Sequence, residues 1–196
     1  MGRIKSALEI ALERTESVKT DKASIGLFEA RQQGKKTANN YLSDISIDLE
    51  AEVKKIPKEQ HESFKQGIFD VLSTQILLPV SNEDIGKLEA VGKGLQLLID
   101  DKNFPALYGQ LIQFMSQYLS ETAQYEQAVR QQYAPKLRQK EEELSRRLGR
   151  EVRLDPFQDP EFINFYNQNL NMLKGNYQVA IEQVKGQLSE MWNEKT

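Results

Sequence analysis

From Phe162 onward the chain repeats apolar side chains at Phe162, Tyr166, Leu170, Leu173, Tyr177, Ile181, Val184, Leu188 and Met191, every step being three or four residues. That spacing lays all of them along one helix face and predicts a helix over residues 160–195. The mean step is about 3.6 residues, so the stripe follows a straight helix and does not wind as a strict heptad would. A stripe this long needs a long partner. These residues are therefore the candidate interaction surface.

The same reading divides the rest of the chain into five further helical stretches. The first runs from Arg3 to Val18, with Ile4, Leu8, Ala11 and Leu12 on one face. The second is long, near residues 22–56, and its later half carries Ala38, Leu42, Ile45, Leu49, Val53 and Ile56 at helical spacing. Its earlier half, EARQQGKKTANN, is almost wholly polar and contains Gly34. Polar side chains on every side offer little packing energy, so residues 29–40 read as a loop, a frayed helix or a solvent-exposed projection. Pro57 suits a first helical position, and the third helix carries Phe64, Ile68, Val71 and Leu72 on to Leu78 before Pro79 stops it. Ser81 with Asp84 resembles a capping box that opens the fourth, through Ile85, Leu88, Val91, Leu95 and Leu98.

Asn103 and Pro105 open a fifth helix over residues 105–148, with Leu107, Leu111, Phe114, Tyr118, Tyr125, Val129 and Tyr133 in its apolar pattern. Pro135 removes a backbone donor inside that pattern, which predicts a kink or short break near Gln132 to Ala134. Gly149 ends the helix. Val152 and Leu154 then alternate with charged residues as an extended segment would, and Asp159 with Pro160 caps the last helix. The fold class is all-α: an up-and-down bundle of about six helices in a single domain over residues 1–196. A globule of this length is roughly 40 Å across, whereas the fifth helix alone would run about 65 Å. An elongated bundle with coiled-coil-like packing is expected, with the segment around 119–148 projecting unless Pro135 folds the helix back.

Composition narrows the function classes. Charged residues are 28% of the chain and apolar ones 39%, and the mean hydropathy is -0.61. That is polar for a globule, yet too rich in periodic Leu, Ile and Phe for a disordered chain. The net charge of -3 exerts no general pull toward nucleic acid or anionic membrane. With no cysteine there are no disulfides, thiolate metal sites or cysteine nucleophiles. No apolar run reaches the ~18 residues of a membrane span, and the expectation is a cytoplasmic protein without membrane contact.

Candidate chemistry is sparse. His61 is the only histidine, in EQHESFK, and Lys65 stands where a metalloprotease helix would place its second histidine. It reads as a surface residue on a helix flank. Gly92 and Gly94 lack the Gly-Lys-Ser/Thr ending of a phosphate loop, so they serve close helix approach or weaken the helix. Glu141, Glu142 and Glu143 point in different directions and form no acid-base pair.

The segment from Arg130 to Arg153 holds eight basic residues against four acidic ones. Pairs such as Glu142 with Arg146 and Glu143 with Arg147 make it a solvated helix face. Nucleic-acid contact through Arg138, Arg146, Arg147, Arg150 and Arg153 is the alternative. RRLGREVRLD with a nearby Asp-Pro resembles a passage of the delta stalk subunit of rotary ATP synthases, over about a tenth of the chain. Glu161 and Phe162 replace the glycine pair of that family, and no family is assigned from it. The chain reads as a non-enzymatic interaction or scaffold protein without metal or cofactor, paired with itself or with another helical protein. A second alternative is an enzyme whose site is completed between subunits.

Overall fold

The computed structural model describes the backbone of residues 7–194 and the side chains of residues 24–194. Among these the chain is all-α, with α1 (Ala7–Ser43), α2 (Leu49–Lys54), α3 (His61–Thr74), α4 (Asn82–Leu98), α5 (Phe104–Leu148) and α6 (Pro160–Asn193). Short 3-10 turns at Lys58–Gln60 and Pro156–Gln158 precede α3 and α6, and no strand is present among the described residues. Two compact units result. One takes in the chain up to Ile76, Glu89–Lys102 and the end from Met191, and the other takes in Leu77–Leu88 and Asn103–Glu190.

In the first unit, α1 replaces the two helices expected over residues 3–18 and 22–56. Lys19, Thr20 and Asp21 hold no glycine or proline, so the lack of apolar residues there does not interrupt the helix. The apolar face expected at Ile4, Leu8, Ala11 and Leu12 lies outside the described side chains. Residues 29–40 are helical and packed, neither loop nor projection, because Ala30, Gly34 and Ala38 form a buried seam of small residues. At Gly34 an added Cβ would lie 2.0 Å from the Phe64 carbonyl oxygen, and at Gly67 one would lie 2.1 Å from that of Arg31. The backbones of α1 and α3 thus touch where side chains are missing. Asp70 on α3 takes the Arg31 guanidinium at 2.8 Å beside this crossing.

The long second helix ends early. Asp44 accepts the Ser46 amide and hydroxyl at 3.0 and 2.6 Å, and Asp48 accepts the amides of Glu50 and Ala51 at 2.9 and 3.1 Å. These local bonds offer the backbone an alternative to helix, so Ile45 falls in a turn and is exposed despite its place in the apolar pattern. Beyond it, α3 ends at Thr74 and not at Leu78, leaving Ile76 buried and Leu77 exposed. Gly94 lets α4 approach Leu72, Tyr41 and Leu49, as a close-approach glycine should. Trp192 completes this core, stacking on Phe69 at 5.2 Å and donating its indole N–H to Gln66 at 2.7 Å.

The second unit is built on α5 and α6. Asp84 accepts the amides of Val80 and Ser81 at 3.0 and 3.2 Å, the backward half of the expected capping box. Tyr108 on α5 donates to the Leu88 carbonyl at 2.8 Å. Of the kink or short break expected near Gln132 to Ala134, the break does not occur, and α5 continues through Pro135 as one helix. Pro135 and Gln131 are exposed, so the carbonyl that loses its bond faces water while the flanking turns hold the helix. Tyr177 of α6 lies 4.3 Å from the Phe114 ring and 4.9 Å from that of Tyr118. Its hydroxyl donates to Glu121 at 2.8 Å, and burial with that carboxylate pushes the phenol up to about 12.

Candidate functional site

The connection from α5 to α6 gathers the densest polar assembly of the second unit. Gly149 takes a left-handed turn with φ of 67°, which only glycine adopts at little cost, and its amide bonds the Ser145 carbonyl to close α5. The chain then runs back along α5 in extended form, where the Val152 amide donates to Ser145 Oγ at 2.9 Å and the Leu154 amide to Glu141 at 2.8 Å. Four residues of helix rise about 6 Å, close to the span of two extended residues at about 3.3 Å each. The alternation in REVRLDP therefore matches a helix edge and needs no partner strand.

Asp155 caps the 3-10 turn by accepting the Phe157 amide at 3.0 Å, and Asp159 caps α6 by accepting the Glu161 amide at 3.1 Å. Asp159 is 8% exposed and takes two further bonds, from the Tyr133 hydroxyl at 2.8 Å and from Lys140 Nζ at 2.7 Å. Lys140 also reaches Glu161 at 2.8 Å, and Lys136 reaches the same carboxylate at 2.9 Å. Tyr133 and Lys140, seven residues apart, share one face of α5 and meet the start of α6.

The electrostatics follow from these contacts. Hydrogen bonds from Lys140 and Lys136 draw the Glu161 carboxyl down to about 2, and the Lys140 bond holds Asp159 below its usual range. Lys140 is raised by the two carboxylates, and burial followed by the Asp159 bond raises Tyr133. All four groups are thus held in the protonation state they already have at neutral pH. That arrangement suits a latch between helices and disfavours proton transfer. Beside it lies a groove of about 270 Å³, lined by Lys140, Leu144, Arg147, Leu154 and Asp159 among others.

The expected interaction stripe faces inward. Phe162, Tyr177, Ile181 and Leu188 are buried, and Tyr166, Leu170, Leu173, Val184 and Met191 are half-buried. It is chiefly core of this chain. The apolar positions that α6 does expose are Met172 and Val179. Arg138, Arg146, Arg147, Arg150 and Arg153 are all exposed and divide between two grooves and the turn just past Gly149. Arg138, Arg146 and Arg153 line one groove together with Glu141, Glu142 and Glu151, whereas Arg147 lines the groove beside Lys140.

The pairs of Glu142 with Arg146 and Glu143 with Arg147 do not come within 4 Å, in keeping with the small gain from pairing long exposed side chains in water. The pairs that form instead are Arg130 with Glu126 at 2.8 Å, Lys136 and Lys140 with the α6 carboxylates, and Arg153 with Glu151 at 3.3 Å. His61, at the start of α3, is half-buried and its Nε2 donates to the Ile56 carbonyl at 2.7 Å. It secures a turn. Among the described residues no group of three or more His, Asp or Glu is placed to hold a metal ion, and no helix is long and apolar enough to cross a membrane.

Sequence reasoning missed Asp159 as the centre of the latch, having assigned it only a capping role. The signal was the Tyr133 and Lys140 spacing, hidden among other charges of α5. No curated protein and no solved structure matches the chain. A family model described as a family of unknown function, DUF6657, does match residues 50–190, which include α5, all but the last turn of α6 and the latch between them, so the chain belongs to that family.

Proposed function

We propose that this is a non-enzymatic, cytoplasmic interaction protein that pairs with a second copy of itself through the outward face of α6. The observation that supports this reading is the outward seam of Met172, Gly175, Val179 and Gly186, in which Gly175 is half-buried and the others are exposed. Met172 is 72% and Val179 60% exposed, two turns apart on one helix. At Gly175 and Gly186 an added Cβ would meet nothing within 4 Å. Apolar and small residues at steps of three, four and seven stay on one side of the helix and leave ridges and hollows in which another helix can seat. The polar groups of the latch are already committed to one another, so the free contact area lies on helix surfaces.

Size-exclusion chromatography with light scattering tests it. The parent chain should give twice its 22.5 kDa mass at micromolar concentration, and Met172→Glu with Val179→Glu should return it to a monomer with unchanged helicity. A parent that stays monomeric throughout that range, or a variant that still dimerises, overturns the reading.

A further inference from the structure

The last three residues of α5 and the first three of the turn that follows, Arg146 to Glu151, form a run of six consecutive exposed residues. Arg146, Arg147 and Arg150 have no carboxylate within 4 Å, because the nearby Glu151 pairs with Arg153 and Glu141 is bound to the Leu154 amide. Between them stands Leu148, 57% exposed. Arg146 and Arg147 also complement the C-terminal dipole of α5. Arg150 lies beyond the helix end, past Gly149, and that explanation covers neither it nor the exposed leucine.

We propose that this tip docks on the surface of an anionic phospholipid bilayer, with the guanidiniums on lipid phosphates and Leu148 below the headgroups. The grooves that Arg146 and Arg147 help to line also carry Glu141, Glu142 and Glu151 in one and Glu143, Asp155 and Asp159 in the other, and those carboxylates repel an acidic peptide. None of those six residues is aromatic, so nothing there stacks on an unpaired base. A bilayer supplies what such a tip fits: a flat field of phosphates with an apolar layer directly beneath. The chain as a whole is negative, but residues 146–153 carry four arginines against one glutamate, and attraction at a surface acts only within a Debye length. The tip residues lie outside the α6 seam, and the two proposals stand or fall separately.

The test is co-sedimentation of the full chain with vesicles of phosphatidylcholine alone or mixed with phosphatidylserine, at low and at physiological salt. Binding should require phosphatidylserine and weaken with salt. It should fall about fivefold for each arginine replaced by glutamine and about tenfold for Leu148→Ser, which leaves the charge intact. Circular dichroism of each variant should match the parent. The proposal is overturned by absence of binding at low salt, by equal binding to both vesicles, or by binding that survives replacement of all three arginines. It is also overturned if labelled single-stranded RNA or duplex DNA binds through these arginines, indifferent to Leu148→Ser, while vesicles do not.

Discussion

Helices α1 and α3 meet through glycines, whereas α5 and α6 meet through aromatic rings. At the first contact the Gly34 and Gly67 backbones touch the partner helix directly, flanked by Ala30, Ala38 and the Arg31 to Asp70 pair. Little side-chain entropy is lost there, and the gain is dispersion between backbones held at close range. At the second, Tyr177 wedges against Phe114 and Tyr118, and Phe162 packs on Tyr133 at 5.2 Å. Here the gain is apolar area, and the rings and hydroxyls add direction. Two packing modes in one chain thus answer to different substitutions. Loss of volume damages the aromatic contact, and addition of volume damages the glycine contact.

The largest effect is expected on the aromatic side. Ile181 is 3% exposed in the middle of the α6 stripe, one turn from Tyr177. Its replacement by alanine should cost about 2 to 5 kcal/mol, read from thermal or denaturant unfolding. An unchanged midpoint would show that the stripe is not core.

The glycine side should respond in the opposite sense. Gly34→Ala places a methyl 2.0 Å from a backbone oxygen, and the helices must part at a cost of about 1 to 3 kcal/mol. The same substitution at Gly86 meets nothing within 4 Å. There it should stabilise the protein by about 0.8 to 1 kcal/mol through helix propensity alone. Equal responses at the two positions, measured by the same unfolding assay, would dissolve the distinction between seam and surface.

The smallest effect is a pH dependence of the latch that joins α5 to α6. The Glu161 carboxyl is drawn from 4.5 to about 2, so the folded form binds its proton less readily than the unfolded form does. The stabilisation is therefore present above pH 4.5 and is lost as pH falls toward 2. Asp159, also lowered, acts in the same sense. Melting temperatures taken across this range should fall less steeply for Glu161→Gln than for the parent. Parallel curves would mean that the carboxylate is not held by the lysines.

The aromatic contact is legible in the sequence because large apolar residues announce their spacing. Phe162, Tyr177, Ile181 and Leu188 all belong to the stripe that periodicity picks out, and all are buried. Trp192 lies one residue past the last member of that stripe and falls outside the pattern, although it fills the core of the first unit. The seam at Ala30, Gly34 and Ala38 is unreadable by the same rule, since small residues carry almost no hydropathy. Asp44 and Asp48 show the reverse error. An apolar pattern continues through them, while their side chains end one helix and cap the next.

Periodicity and capping chemistry by themselves determined the all-α class, the late helices near 105–148 and 160–195, the Gly149 stop and the Asp159 cap. These are local: each depends on residues within a few turns, whose preferences are written in their own side chains. Only the tertiary structure decided which residues far apart in sequence would share a contact. The Gly34 to Phe64 approach, the stacking of Trp192 on Phe69 and the meeting of Tyr133 and Lys140 with Asp159 each join distant segments. Their energy comes from shape and solvent exclusion at the point of contact, and no single segment carries a signal of where its partner lies.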